Sequence, residues 1–137
     1  MTSPRSRRVI AAAAAVLMAA VLVVQAAAAP NPFKGAWYSE DSDTSNQMLR
    51  IAGGPAGSYR VRYYDDGASV CGWTQTGGGP AASARGVLTG PGFEISGDLP
   101  VYCLTSPRYL FDTVTFTYTY DPGTDTLTDG FGTEWHR

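Results

Sequence analysis

Thr113-Val114-Thr115-Phe116-Thr117-Tyr118-Thr119-Tyr120 alternates two kinds of side chain without a break. Every even position is apolar or aromatic and every odd one is threonine. An extended chain therefore sets four large side chains on one face and four hydroxyls on the other. β-branched and aromatic residues suit a pleated, half-buried surface, so the stretch reads as a strand with one side in a core. Upstream, Tyr59, Val61 and Tyr63 alternate with Arg60 and Arg62, and Leu49 and Ile51 share a face opposite Met48 and Arg50. Shorter candidate strands lie at Ala36 to Ser39, Ser69 to Gln75, Arg85 to Thr89, Phe93 to Ser96, Val101 to Leu104 and Thr126 to Trp135. Beyond the first residues, apolar side chains do not recur at helical spacing over any length a helix needs.

Between the candidate strands stand Gly53-Gly54-Pro55-Ala56-Gly57, Asp65-Asp66-Gly67, Gly77 to Pro80, Gly90-Pro91-Gly92 and Asp121-Pro122-Gly123-Thr124-Asp125. Glycine supplies positive φ and proline a fixed φ, so each group marks a turn. Turns every ~8–12 residues between short strands predict an all-β sandwich or barrel. Short connections join antiparallel neighbours, so an up-and-down meander is the simplest topology. About eight strands can close into a small barrel without exposed edges. The alternative is a β-sandwich of immunoglobulin type, whose Cys-Trp-Cys order is only partly met because Trp73 follows Cys71 too closely.

The chain begins with Arg5, Arg7 and Arg8, an almost wholly apolar run from Val9 to Val24, then Gln25 and a string of alanines ending at Pro30. This is the layout of a secretory signal, and Ala26 and Ala28 predict a cut after Ala28. The alternative is an uncleaved anchor over Val9 to Ala29. Ser6-Arg7-Arg8-Val9-Ile10 resembles a twin-arginine export signal. The absence of cysteine before Cys71 excludes a lipid-modified cysteine at the cut. Residues 29–137 are then one domain, exported to the extracellular space and free of the membrane once the signal is removed. The mature part keeps seven basic residues against twelve acidic ones, a formal charge of −5. No basic cluster is visible along it, so a nucleic acid is not an expected partner. Cys71 and Cys103, in a chain bound for an oxidising compartment, predict a disulfide.

Gly35-Ala36-Trp37 is similar to the GxW signature of the calycin barrels, the lipocalins and avidins. Trp37-Tyr38, Asn46-Gln47-Met48-Leu49-Arg50-Ile51 and Gly57-Ser58-Tyr59 look like the opening three strands of an avidin. The resemblance covers roughly Gly35 to Tyr64 and the C-terminal tip. It implies a barrel whose early tryptophan packs across a closed end near a late basic side chain, for which Arg137 stands in the right place. It implies no biotin-binding residues, because no later run matches the tryptophan-bearing segments of avidins. Trp73, in Cys71-Gly72-Trp73, has a different context.

The chemistry-bearing residues exclude more than they assign. His136, the single histidine, is penultimate, a poor place to hold a general base, so a serine-histidine-acid triad and multi-histidine metal sites are not expected. Asp65 and Asp66 are adjacent and precede Gly67, which reads as a turn, and nothing marks Glu94 and Asp98 as a hydrolytic pair. Glu40, Asp41, Asp43 and Asn46, or Asp121, Asp125 and Asp129, are oxygen-rich enough for calcium, yet neither follows an EF-hand pattern, and such residues belong in turns on their own account. No catalytic residue, cofactor or metal is therefore assigned. Three tryptophans, eight tyrosines and five phenylalanines give the best lead toward binding. Trp37, Tyr59, Tyr63, Trp73, Phe116, Tyr118 and Trp135 are the candidate ligand-lining residues, although a small barrel absorbs that many aromatics simply by filling its core. The expectation is a secreted, non-enzymatic barrel to which the sequence assigns no specific function, with binding of a small apolar or aromatic molecule or a glycan as the first hypothesis. The alternatives are a protein-interaction or protease-inhibitor domain and a carboxylate-based hydrolase. An open cavity in the interior is the feature that separates them.

Overall fold

The computed structural model describes residues 31–53, 56–72 and 79–137; the signal read at residues 1–28 and the candidate Trp73 lie outside the described residues. The strands are β1 (Gly35–Glu40), β2 (Asn46–Gly53), β3 (Ser58–Asp65), β4 (Ala82–Thr89), β5 (Glu94–Cys103), β6 (Tyr109–Asp121), β7 (Thr126–Asp129) and β8 (Glu134–Trp135). They pair antiparallel in sequence order, each with the next, as an up-and-down sheet. The ends meet where Tyr38 and His136 exchange two backbone hydrogen bonds of 2.7 and 2.9 Å, giving a nearly closed eight-stranded barrel. No helix among the described residues is long and apolar enough to cross a membrane.

The threonine ladder sits as its alternation demands. Phe116 and Tyr118 are buried and Val114 and Tyr120 half-buried, while Thr113, Thr115 and Thr119 are exposed. Three shorter expectations differ. Phe93 to Ser96 and Val101 to Leu104 belong to the one strand β5, which runs through Gly97 and Pro100. The β4–β5 ladder is interrupted between Ala84↔Val101 and Thr89↔Ser96, and Pro100, with no N–H to donate, falls within that interval. Ser69 to Cys71 form one 3-10 turn rather than the start of a strand. Thr126 to Trp135 divides into β7 and β8 around Gly130 to Thr133, where Asp129 accepts from the Phe131 and Thr133 N–H groups at 2.9 Å each. Between β4 and β5, a Cβ at Gly90 would collide with the backbone of Glu94, so only glycine permits that close turn.

One end of the barrel is filled. Phe33, Trp37, Leu88, Ile95 and Leu127 are fully buried there, with Phe33 edge-on to Tyr59 at 5.2 Å. Trp37 Nε1 donates to the Phe33 carbonyl at 2.8 Å. The Arg137 guanidinium lies 4.1 Å from the centre of the Trp37 ring. It donates to the Pro32 and Lys34 carbonyls and to Asp125 at 2.8 to 3.1 Å. The tryptophan and late arginine thus meet across the closed end, where cation–π attraction and charge-assisted hydrogen bonds fasten the last residue to the first turn.

Four connections crowd the other end. The longest, from β3 to β4, carries Cys71, which is bonded to the fully buried Cys103 at the end of β5. Asp43 in the β1–β2 turn accepts from the Ser45 hydroxyl at 2.6 Å and from the Ser69 N–H at 3.2 Å, tying that turn to the disulfide-bearing connection. The Ser45 hydroxyl and then its N–H, followed by the Ser69 contacts, hold the Asp43 carboxyl below the usual carboxylate range against the opposing effect of burial.

The outer wall corrects the expectation that the chain has no basic cluster. Arg50, Arg62 and Arg85 stand directly opposite one another on β2, β3 and β4. The strand pairing assembles a row that no segment of the sequence displays.

Candidate functional site

The open end encloses a cavity of about 380 Å³, within the usual range for small-molecule sites. Its deep wall is apolar and aromatic, built from Val101 on β5, Phe116 and Tyr118 on β6, and Trp135 on β8. Tyr63 closes the wall from β3, 5.3 Å from Phe116 and 6.2 Å from Trp135 between ring centres, and Tyr118 stands edge-on to Trp135 at 5.9 Å. Toward solvent, Val70, Phe111 and Phe131 line the rim and are 56, 42 and 76% exposed. An apolar rim over an aromatic cup is a surface that water covers poorly.

Of the aromatic residues singled out from the sequence, Tyr63, Phe116, Tyr118 and Trp135 line this cavity. Trp37 and Tyr59 are packed in the filled end, with Phe33 against Tyr59 and Tyr120 against Trp37. The carboxylate and amide lining comes from residues that the sequence reading assigned to turns or did not select. Asp41, Gln47, Asp65 and Asp129 all face the cavity. Strand parity is the signal that finds them. Gln47 continues the inward phase of Leu49 and Ile51, Asp65 that of Val61 and Tyr63, and Asp129 that of Leu127.

These side chains hold one another in place. Gln47 Nε2 donates to Asp41 Oδ2 at 3.1 Å and to the Tyr63 hydroxyl oxygen at 3.0 Å. The Tyr63 hydroxyl donates to Asp65 Oδ2 at 3.2 Å, and Asp65 Oδ1 accepts from the Gly67 N–H at 2.9 Å. Across the cavity, Asp129 Oδ2 accepts from the Trp135 indole N–H at 3.1 Å. Three carboxylates therefore line the cavity, and no Lys, Arg or His is among its described lining residues. The Tyr118 side chain is 1% exposed.

Burial, with the Asp65 carboxylate next in weight, pushes the Tyr63 hydroxyl far above its ordinary pKa. Burial first, then Asp129, does the same for Tyr118. Both stay neutral in the folded barrel while the unfolded chain ionises them near pH 10.0. A raised folded-state pKa means stability fully present below that pH and lost above it. We expect a decline of about 1.4 kcal/mol per pH unit for each tyrosine. Tyrosinate absorbance followed alongside circular dichroism checks this: two tyrosines should ionise only as the barrel unfolds, and ionisation of all eight in the folded state would refute it.

Other candidate chemistry is dispersed. His136 sits on the outside, 3.9 Å from Glu134 and 61% exposed. Asp121 accepts from the Gly123 N–H, while Asp125 is engaged by Arg137, so these two and Asp129 serve separate turns. Among the described residues, no group of three His, Cys, Asp or Glu side chains could hold a metal ion. Comparison with protein-family models, with curated proteins and with solved structures finds no match to the chain.

Proposed function

We propose that this protein is a secreted, non-enzymatic binding barrel that takes a small organic cation, apolar or aromatic in its body, into its open end. The observation that carries this reading is the composition of the cavity: aromatic walls below, three carboxylates above, and no basic residue among the described lining. An ammonium group gains from carboxylate oxygens and from the faces of Tyr63, Phe116 and Trp135 at once, whereas an anion would be repelled and a wholly apolar molecule would leave the carboxylates dry. Secretion is supported by the disulfide and by the N-terminal leader pattern. The Trp37–Arg137 pairing supports the calycin-like reading of the fold.

Hydrolysis by paired carboxylates fits less well. A glycosidase needs one carboxylic acid that gives its proton to the leaving group. Both oxygens of Asp65 and both of Asp129 already accept hydrogen bonds from fixed donors, which leaves neither placed as a proton donor. The exposed apolar rim supports a protein partner as a second reading, with Phe111 and Phe131 as its contacts.

Calorimetric titration with arylalkyl amines and their neutral alcohol counterparts tests the proposal. The amines should bind saturably and about tenfold or more tightly than the alcohols, the worth of one charge-assisted contact. Asp41→Asn should remove most of that preference. Equal binding of amine and alcohol, or none of either, refutes cation recognition, and turnover of any titrant would make the protein an enzyme.

A further inference from the structure

The basic residues are gathered outside the cavity. Of the seven that follow the leader, all but Arg137 border two adjoining surface grooves on the outer wall of β2, β3 and β4. No carboxylate lines either groove. Arg50 stands opposite Arg62, and Arg62 opposite Arg85, with Arg60 two residues along β3 from Arg62 on the same face. All four are exposed, and no carboxylate among the described residues pairs with any of them. Like charges directly opposite across neighbouring strands repel and destabilise the sheet.

We infer that the arginine row is a binding site for an acidic polysaccharide, whose anionic groups engage Arg50, Arg62 and Arg85 in succession. The row runs across the strands, so its backbone positions follow one another at about the 4.8 Å strand spacing, and the long side chains fan outward from there. Each is a planar fork suited to a sulfate, phosphate or carboxylate group. The next row toward the mouth is aromatic: Tyr38 pairs with Met48, Met48 with Tyr64, and Tyr64 with Ser83. Tyr38 and Tyr64 are 50 and 39% exposed. A tyrosine row beside an arginine row offers ring faces for sugars next to forks for their charged substituents. The convex barrel wall presents this as a narrow line, which suits a slender chain better than a flat membrane. The chain's overall negative charge opposes every polyanion alike, so the exposed tyrosine faces beside the row are what favour a sugar chain. The site is independent of the cavity, on the outer side of the same strands.

Retention on immobilised dextran sulfate, compared with neutral dextran, reads the site directly. The protein should bind the sulfated matrix and elute with salt, and Arg62→Gln should weaken binding about tenfold or more. The same substitution removes the central like charge, so its Tm should rise by a few degrees. Binding lost because the barrel failed to fold would instead come with a fall in Tm. Arg50→Gln/Arg62→Gln/Arg85→Gln should abolish retention while leaving amine binding in the mouth unchanged. No retention of the native protein, retention indifferent to the triple substitution, or equal binding to single-stranded DNA or to phosphatidylglycerol vesicles would overturn the proposal.

Discussion

Replacing Trp37 with alanine is expected to lower the unfolding free energy by about 3–5 kcal/mol, the usual cost of removing a buried tryptophan. Trp37 is fully buried at the closed end, where its indole N–H donates to the Phe33 carbonyl and its ring lies under the Arg137 guanidinium. Truncation leaves a void, strips that carbonyl of its donor and removes the surface on which the last residue rests. The loss is a large fraction of the roughly 5–15 kcal/mol that holds a domain folded. Urea unfolding checks it. A midpoint close to that of the native protein would mean that the closed end does not depend on this packing.

Loss of the Cys71–Cys103 bond has the second large effect. The bridge joins residues 32 apart in sequence, and releasing it restores unfolded-chain entropy equivalent to about 3–4 kcal/mol in the chain-entropy account. The consequence is local as well as global. Cys71 follows Ala68, Ser69 and Val70, which line the cavity, and Cys103 follows the lining residue Val101 by two positions. Cys71→Ala/Cys103→Ala should therefore unfold at markedly lower urea and bind amines more weakly even where it remains folded. Unchanged amine affinity in the folded double variant would show that the bridge serves stability alone.

Legibility in the sequence followed the range of the interaction. The ladder from Thr113 to Tyr120 encodes its strand locally, because a period of two needs no partner to be visible, and β6 has the inward and outward faces it predicts. Arg137 was legible through the GxW resemblance, since Gly35-Ala36-Trp37 raises the question of what covers the tryptophan. The fusion of two candidate strands into β5 was hidden by Gly97 and Pro100, which signal a turn in isolation and here lie in an interrupted ladder.

The site was only half legible. Aromatic side chains drew attention to Tyr63, Phe116, Tyr118 and Trp135, while Asp65 was read as part of a turn because Asp66 and Gly67 follow it. Its inward direction comes from the phase of Val61 and Tyr63, and its burial, 3% exposed, from the barrel wall around it. The arginine row was not legible at all. Arg50, Arg62 and Arg85 are isolated in sequence, and only the register of three strands makes them neighbours.

Whether the acidic, aromatic mouth takes an organic cation is read from an N–H correlation spectrum of the folded protein titrated with phenethylamine. Saturable shifts of the Trp135 indole N–H and of the Gly67 and Thr133 amides are expected, with the Trp37 indole unmoved and far smaller shifts from 2-phenylethanol. Shifts confined to the closed end, or no saturable shift at the mouth, would contradict cation binding.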